Sequence, residues 1–470
     1  MSTPTEPRIA NPKDDPVRST GIIVFSIAVA FGTYFCMYAF RKPFSAAEYS
    51  GLQFFGTEIT LKTILVISQI LGYATSKYIG IKVCSEISRK QRPYALVGLI
   101  LLAEFALLLF AVLPQDWKFL ALFLNGLPLG MVWGLVVWYL EGRRTSELLL
   151  AGLSCSYIMA SGVVKDIGRW LMRDHGVPEF WMPFATGLVF LIPYLVFVFL
   201  LTWIPQPNSQ DIDERTERAT MNGSRRWAFL NEFFFGLAVL FLIYFFLTAF
   251  RDIRDNFGQE LWSELGYGKT PGKFTMSETL VAFGCMFVFS LLAIVKNNKV
   301  GLFLAFLIIT VGLLLLAGGT LLFDAGYVDG FAWMVMIGFG AYLAYVPFGS
   351  MLFDRIIAST RVVATSVFAI YAADAIGYTG SVGLTIYKDL GMGGDFTYLN
   401  FFRYFSYGMA IFGSLLTIIS GIYFLRLSKD QPQLLPKTPT SDAAVLSPIP
   451  SMPASESPGS IQEKQSIHPT

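Results

Sequence analysis

Apolar residues run in blocks of about twenty along most of the chain, separated by short polar breaks. An α-helix needs about 20 apolar residues to cross a bilayer, so each block predicts one span. Twelve spans are predicted. The first six cover residues 21–40, 61–81, 94–113, 118–140, 147–172 and 181–204. The second six cover residues 228–250, 276–295, 300–323, 330–353, 362–387 and 401–425. The long internal break, residues 205–226, is polar and of mixed charge, and it reads as a linker between two six-helix bundles, residues 21–204 and 227–427. Residues 1–20 form a polar N-terminal segment. Residues 428–470 hold eight prolines with many Ser and Thr, too little apolar area to fold, and are expected to be a disordered tail.

Composition agrees with the pattern. The chain is 54% hydrophobic and 14% charged, against about 25% charged in an ordinary soluble domain. The fold class expected is an all-α membrane protein with the lipid bilayer as its solvent. A net charge of +2 gives no reason to expect nucleic acid as a partner. Cys36, Cys84, Cys155 and Cys285 lie far apart without metal-ligand spacing and read as unpaired packing residues. No metal cluster, cofactor-binding glycine loop or nucleophile–base constellation is visible, so an enzyme is not expected. The first span is too long for a signal-peptide core and lacks a small-residue cleavage site, so it is expected to be retained.

Lys and Arg set the orientation. The second connection has Lys82, Arg89, Lys90 and Arg92; the fourth has Arg143 and Arg144; the eighth has Lys296 and Lys299; the tenth has Arg355 and Arg361. These even-numbered connections are expected to be cytoplasmic, together with both termini and the linker, in a cell (inner) membrane. A six-plus-six arrangement with a cytoplasmic linker is the outline of the major facilitator superfamily.

Charges inside spans carry the chemistry, because a cation at a helix centre costs roughly 2.5–3.5 kcal/mol on insertion scales. Ala39-Phe40-Arg41 ends the first span and Ala249-Phe250-Arg251 ends the seventh. Each arginine reads either as an interfacial anchor or as half of an anion clamp. Arg251 also opens the run Arg251-Asp-Ile-Arg-Asp255, which a solvated mouth with internal ion pairs would explain. Lys77 is a snorkelling lysine or a ligand. Lys165 and Arg169, four apart, share a face with Ser161 and call for an anion or a carboxylate from another helix. Glu104 and Asp374 are the deepest acids, expected to be neutral or paired, and are candidate coupling or ion-pair groups. Tyr38 and Tyr73 each lie one turn from a cation.

Several stretches resemble the organophosphate:phosphate antiporter branch of that superfamily. Tyr38-Ala-Phe-Arg-Lys-Pro-Phe44 is similar to its first-helix segment Tyr-x-x-Arg-Lys-x-Phe. Tyr73-Ala-Thr-Ser-Lys-Tyr-Ile79 is similar to its second-helix segment, and Asn125-Gly-Leu-Pro-Leu-Gly-Met-Val-Trp133 to its fourth. Arg251 falls where the family keeps a seventh-helix arginine. The resemblance implies that Arg41 and Arg251 bind a substrate phosphate, with Tyr38, Tyr73, Lys77 and Lys165 beside them. Two features depart from the family: Thr248 stands where it has tyrosine, and the loop motif near Glu86 is degraded. The function expected is a monomeric secondary transporter of a small organic or phosphorylated anion, working by alternating access and exchange for phosphate. The alternatives are a proton-coupled symporter and a transport-inactive sensor of the same anion.

Overall fold

The computed structural model describes residues 16–140, 146–205, 223–360, 366–391 and 397–428. The predicted tail from residue 429 on, most of the predicted linker (206–222), and Arg143, Arg144 and Arg361 lie outside the described residues. So do the side chains of Lys82 and Cys84.

The described residues form helices joined by short connections. The first half comprises α1 (Pro16–Met37), α2 (Leu61–Glu86), α3 (Arg92–Val112), α4 (Lys118–Leu140), α5 (Ser146–His175) and α6 (Met182–Leu201). The second half comprises α7 (Gly223–Glu232), α8 (Phe234–Asn256), α9 (Gly258–Glu264), α10 (Lys273–Ala293), α11 (Asn298–Asp324), α12 (Gly330–Ser350), α13 (Leu352–Thr360), α14 (Ser366–Ile386), α15 (Tyr398–Gly408) and α16 (Ser414–Leu427). The predicted spans map onto these, with three local breaks in the second half. The seventh breaks at Phe233 into α7 and α8. The tenth ends at Ser350, and α13 follows as a separate short helix. The twelfth contains a wide turn, Met409–Gly413, between α15 and α16.

Nine helices among the described residues are long and apolar enough to cross a membrane. Helices α2, α5 and α14 are not among them, because polar side chains recur along their length. Their packing gives the reason. Helix α5 lies against α10, and α14 lies against α2, so these elements form the seam between the two halves. A seam helix meets protein on more than one side and does not need a lipid-facing apolar surface. Helices that do face lipid leave large side chains exposed, among them Phe105, Ile192, Phe287 and Ile411.

The two halves repeat each other's packing. Helix α1 lies against α5 as α8 lies against α14, and α2 against α4 as α10 against α12. Parallel repeats of this kind carry equivalent residues to opposite walls of one central cavity. The Ala-Phe-Arg repeat falls on α1 and α8, which are equivalent. Their ends differ, however. Pro43 lacks an N–H and disfavours helix at the residue before it. The chain therefore leaves α1 at Met37 and continues as two tight 3-10 turns, Tyr38–Phe40 and Pro43–Ala46. Ile253 stands at the matching place in α8, and that helix runs on through Arg251 to Asn256.

Candidate functional site

Arg41 sits at the end of the first 3-10 turn and is buried, 5% exposed, so it is not an interfacial anchor. Its position is fixed by backbone capture. The Asn125 amide donates to the Phe40 carbonyl at 2.9 Å and the Gln69 amide to the Arg41 carbonyl at 2.8 Å. Gln69 also donates to Asn125 Oδ1 at 2.8 Å, which ties α2, α4 and the turn into one unit. Glycines let these helices touch: a Cβ at Gly126 would meet the Gln69 carbonyl oxygen at 2.4 Å, and one at Gly72 the Phe123 carbonyl oxygen at 2.2 Å.

The guanidinium of Arg41 lies 3.9 Å from the ring centre of Tyr73 and 5.8 Å from that of Tyr38. Its Nε is buried without a hydrogen-bond partner, and no carboxylate among the described residues faces it. Ring faces stabilise a desolvated cation by about 2 kcal/mol. Removing an ion from water costs several kcal/mol. The aromatic cage alone therefore does not offset the burial of Arg41.

Arg251 enters the same cavity from the other half, 4.2 Å above the Tyr345 ring. It is buried, and so are Asp252 and Arg254 of its charged run, so a solvated mouth is excluded for these three. Arg251 donates to Asp252 at 2.6 Å, and Asp252 accepts from Ser381 of α14 at 2.8 Å. Lys77 is buried as well and does not snorkel to the surface. It reaches across to Asp374 of α14 at 3.3 Å, while Tyr244 donates to the other oxygen of Asp374 at 2.8 Å. Arg41, Arg251, Lys77, Asp374, Tyr38 and Tyr73 thus line one cavity of ≈ 50 Å³, walled further by Tyr157, Tyr345 and Tyr378. One water needs about 10–15 Å³ by the same measure, so the space suits a few waters or one small oxyanion.

Lys165 lies outside that cavity. One α-helical turn separates successive layers along α5 and α8. Tyr157 and Arg251 belong to the cavity. Ser161 and Lys165 meet Asp255 in the next layer, with Lys165 at 2.5 Å, so the cation stripe of α5 faces a carboxylate of the opposite half. Lys42 reaches the other oxygen of Asp255 at 2.5 Å and Asn256 at 2.9 Å. Lys62 pairs with Glu260 at 2.5 Å, and Arg254 with Glu278 at 2.8 Å. Beyond this layer Arg169, Trp170, Glu48 and Gln259 line an open vestibule of ≈ 790 Å³. Among the described residues, polar contacts between the halves run from the level of Lys77 and Cys155 to this end of the molecule, which carries the odd-numbered connections. That end is closed.

Glu104 is also elsewhere. It is buried in the middle of α3 with its carboxyl against α6, where a Cβ at Gly187 would lie 2.0 Å from Oε2. Neither oxygen has a hydrogen-bond partner, and no cation of the described residues pairs with it. The sequence reading passed over Gln69, Asn125 as a backbone anchor, Tyr244 and Asp252. Asp252 was hidden by its neighbours, since an Asp between two arginines looks like surface. Gln69 gave no signal beyond being an amide in an apolar run. Cys36, Cys155 and Cys285 are buried and unpaired.

The model of a family of unknown function, DUF5690, matches residues 43–427, most of the chain. A search of curated protein sequences gives no match. Solved structures do match. The nucleoside transporter NupG is 12% identical, with 86% of this chain and 98% of that one covered and a TM-score of 0.51. A POT family transporter in complex with a thioalcohol-conjugated peptide is 14% identical, covering 88% and 97%, with a TM-score of 0.52. A D-xylose-proton symporter is 12% identical, covering 87% and 98%, with a TM-score of 0.54. At such identity the likeness gives the fold, an all-α major facilitator superfamily architecture, and leaves the cargo to the chemistry of the cavity.

Proposed function

The chain belongs to the DUF5690 family, and we propose that it is a secondary transporter that moves a small anion by alternating access. The observation that carries this is Arg41: a buried guanidinium in a cavity between the halves, in contact with tyrosines and with no carboxylate of the described residues. An anion is the partner that such a cation lacks. Arginine suits the task because its planar fork stays charged and binds oxyanions through two donors. Arg251, from the equivalent helix of the other half, would hold the opposite side of the anion.

The same geometry is the support for exchange with phosphate as the reading. With the cavity empty, Arg41 and Arg251 repel across the seam; a bound anion relieves that repulsion and lowers the barrier to rocking. Lys77 and Asp374 offer a second reading, proton-coupled symport, because their ion pair joins α2 to α14 and would break if Asp374 took a proton. A transport-inactive sensor is the third.

Counterflow of labelled phosphate in proteoliposomes separates the three. Uptake that requires internal phosphate supports exchange. Uptake driven by a pH gradient without internal anion supports symport. Saturable binding without flux supports a sensor. Arg41→Lys and Arg251→Lys should each lower flux by at least a hundredfold while the protein still inserts, because neither lysine reproduces the fork. Wild-type flux in both variants would sink the clamp.

A further inference from the structure

The cavity is nearly balanced in charge before any cargo arrives. Three cations line or enter it: Arg41, Arg251 and Lys77. Two carboxylates answer them. Asp374 accepts from Tyr244 through one oxygen and meets Lys77 with the other. Asp252 accepts from Arg251 through one oxygen and from Ser381 with the other. Each carboxyl touches a cation, Lys77 or Arg251, and an opposite charge in contact favours the ionised form, so both groups act as anions. In the next layer every one of four cations touches an acid, although two share one: Lys42 and Lys165 meet Asp255, Lys62 meets Glu260, and Arg254 meets Glu278. Arg41 alone among these cations has no acid in contact. The cavity therefore offers one positive charge in excess.

We propose that the site selects cargo bearing a single negative charge and that Asp252 sets this preference. The inference rests on the anion-transport reading above. A monoanion between Arg41 and Arg251 leaves the desolvated cavity neutral. A dianion leaves one unit of uncompensated negative charge where the effective dielectric is low and screening is weak. Asp252 is the residue that decides, because it occupies one face of the Arg251 guanidinium that a second anionic oxygen would otherwise use. This narrows the cargo. Phosphate monoesters are mostly dianionic at neutral pH, since their second pKa lies near 6. Monocarboxylates, phosphodiesters and doubly protonated phosphate, H2PO4−, fit better.

Sulfamate and sulfate make the test, being close in shape and carrying one and two negative charges. Purified wild-type protein and Asp252→Asn are titrated with each at one pH, and the concentration giving half-maximal thermal stabilisation is read. Wild type should respond to sulfamate at a concentration at least tenfold below sulfate. Asp252→Asn, with one carboxylate fewer, should reverse that order by at least tenfold. Ser381→Ala keeps the charge and should leave the ratio within twofold of wild type. If wild type favours sulfate, or if Asp252→Asn leaves the ratio unchanged, the charge-selection proposal falls while the anion site stands. Should Asp252→Asn fail to fold, the wild-type ratio alone decides. If phosphate, sulfamate and sulfate all leave wild type unstabilised, the anion site itself falls, and this proposal with it.

Discussion

At the residue scale, burial separates a charge that needs a partner within the protein from one that water can serve. Arg41, Lys77 and Arg251 each end or approach the end of an apolar run, a place where a snorkelling cation costs little. In the structure all three turn inward, between the halves. Glu104 looks equally deep in sequence and yet packs against α6, with no described cation paired to it. Its role can be isolated by a change that keeps shape and removes ionisation. Glu104→Gln should leave phosphate counterflow within twofold and thermal stability within about 1 kcal/mol, because no partner is lost. Glu104→Lys should prevent insertion, since a cation there has no carboxylate to meet. Loss of pH-gradient-driven uptake in Glu104→Gln would instead make Glu104 a coupling group outside the cavity.

At the element scale, the site depends on how closely α2 and α4 approach. Gly72, Gly126 and Gly130 place backbone against backbone, and this contact sets the height of Tyr73, Lys77 and the Asn125–Gln69 pair. Gly126→Ala puts a methyl 2.4 Å from the Gln69 carbonyl oxygen and 2.7 Å from the Tyr73 amide. Backbone does not yield as a flexible side chain does. A loss of about 1–3 kcal/mol is expected, read as a lower melting temperature in detergent, together with weaker anion stabilisation. Gly98→Ala, where nothing lies within 4 Å of the new methyl, is the control and should change neither. On the other side of the cavity, Thr248 packs against Gly377, whose Cβ would lie 2.5 Å from Thr248 Oγ1. The tyrosine expected there by family resemblance would push α14 outward. The departure at Thr248 thus belongs to helix packing, and Tyr244 and Tyr345, stacked at 5.2 Å, supply the aromatic wall instead.

At the scale of the whole molecule, the closed end predicts which way the cavity opens. The described polar contacts between halves cluster on the side of the odd-numbered connections, and the prediction is that access to the cavity is from the even-numbered side. Gly349 lines the cavity and has open space around its Cα. With the four native cysteines replaced, Gly349→Cys should react with a membrane-impermeant thiol reagent at least tenfold faster from the even-numbered side. Added anion should slow that reaction. Faster labelling from the other side would show that the closed end is not the resting barrier. The Lys and Arg bias of the even-numbered connections makes that side the expected cytoplasmic one, which the labelling tests.

The amino-acid sequence by itself determined the solvent, the helical class and the division into halves. Those follow from the length and spacing of apolar runs, because an unsatisfied backbone in lipid permits little besides helices. It also marked Arg41 and Arg251, since a repeated tripeptide at equivalent helix ends is a local signal. Tertiary structure alone decided which charges converge. Lys165 and Lys77 look alike along the chain, but a turn of α5 carries Lys165 to Asp255 while α14 brings Asp374 to Lys77. Asp252 reads as surface in its run and becomes a buried counter-charge only because Ser381 approaches from α14. Pairing across a seam depends on contacts ninety or more residues apart, and no local pattern of hydrophobic and polar positions encodes which carboxylate meets which cation.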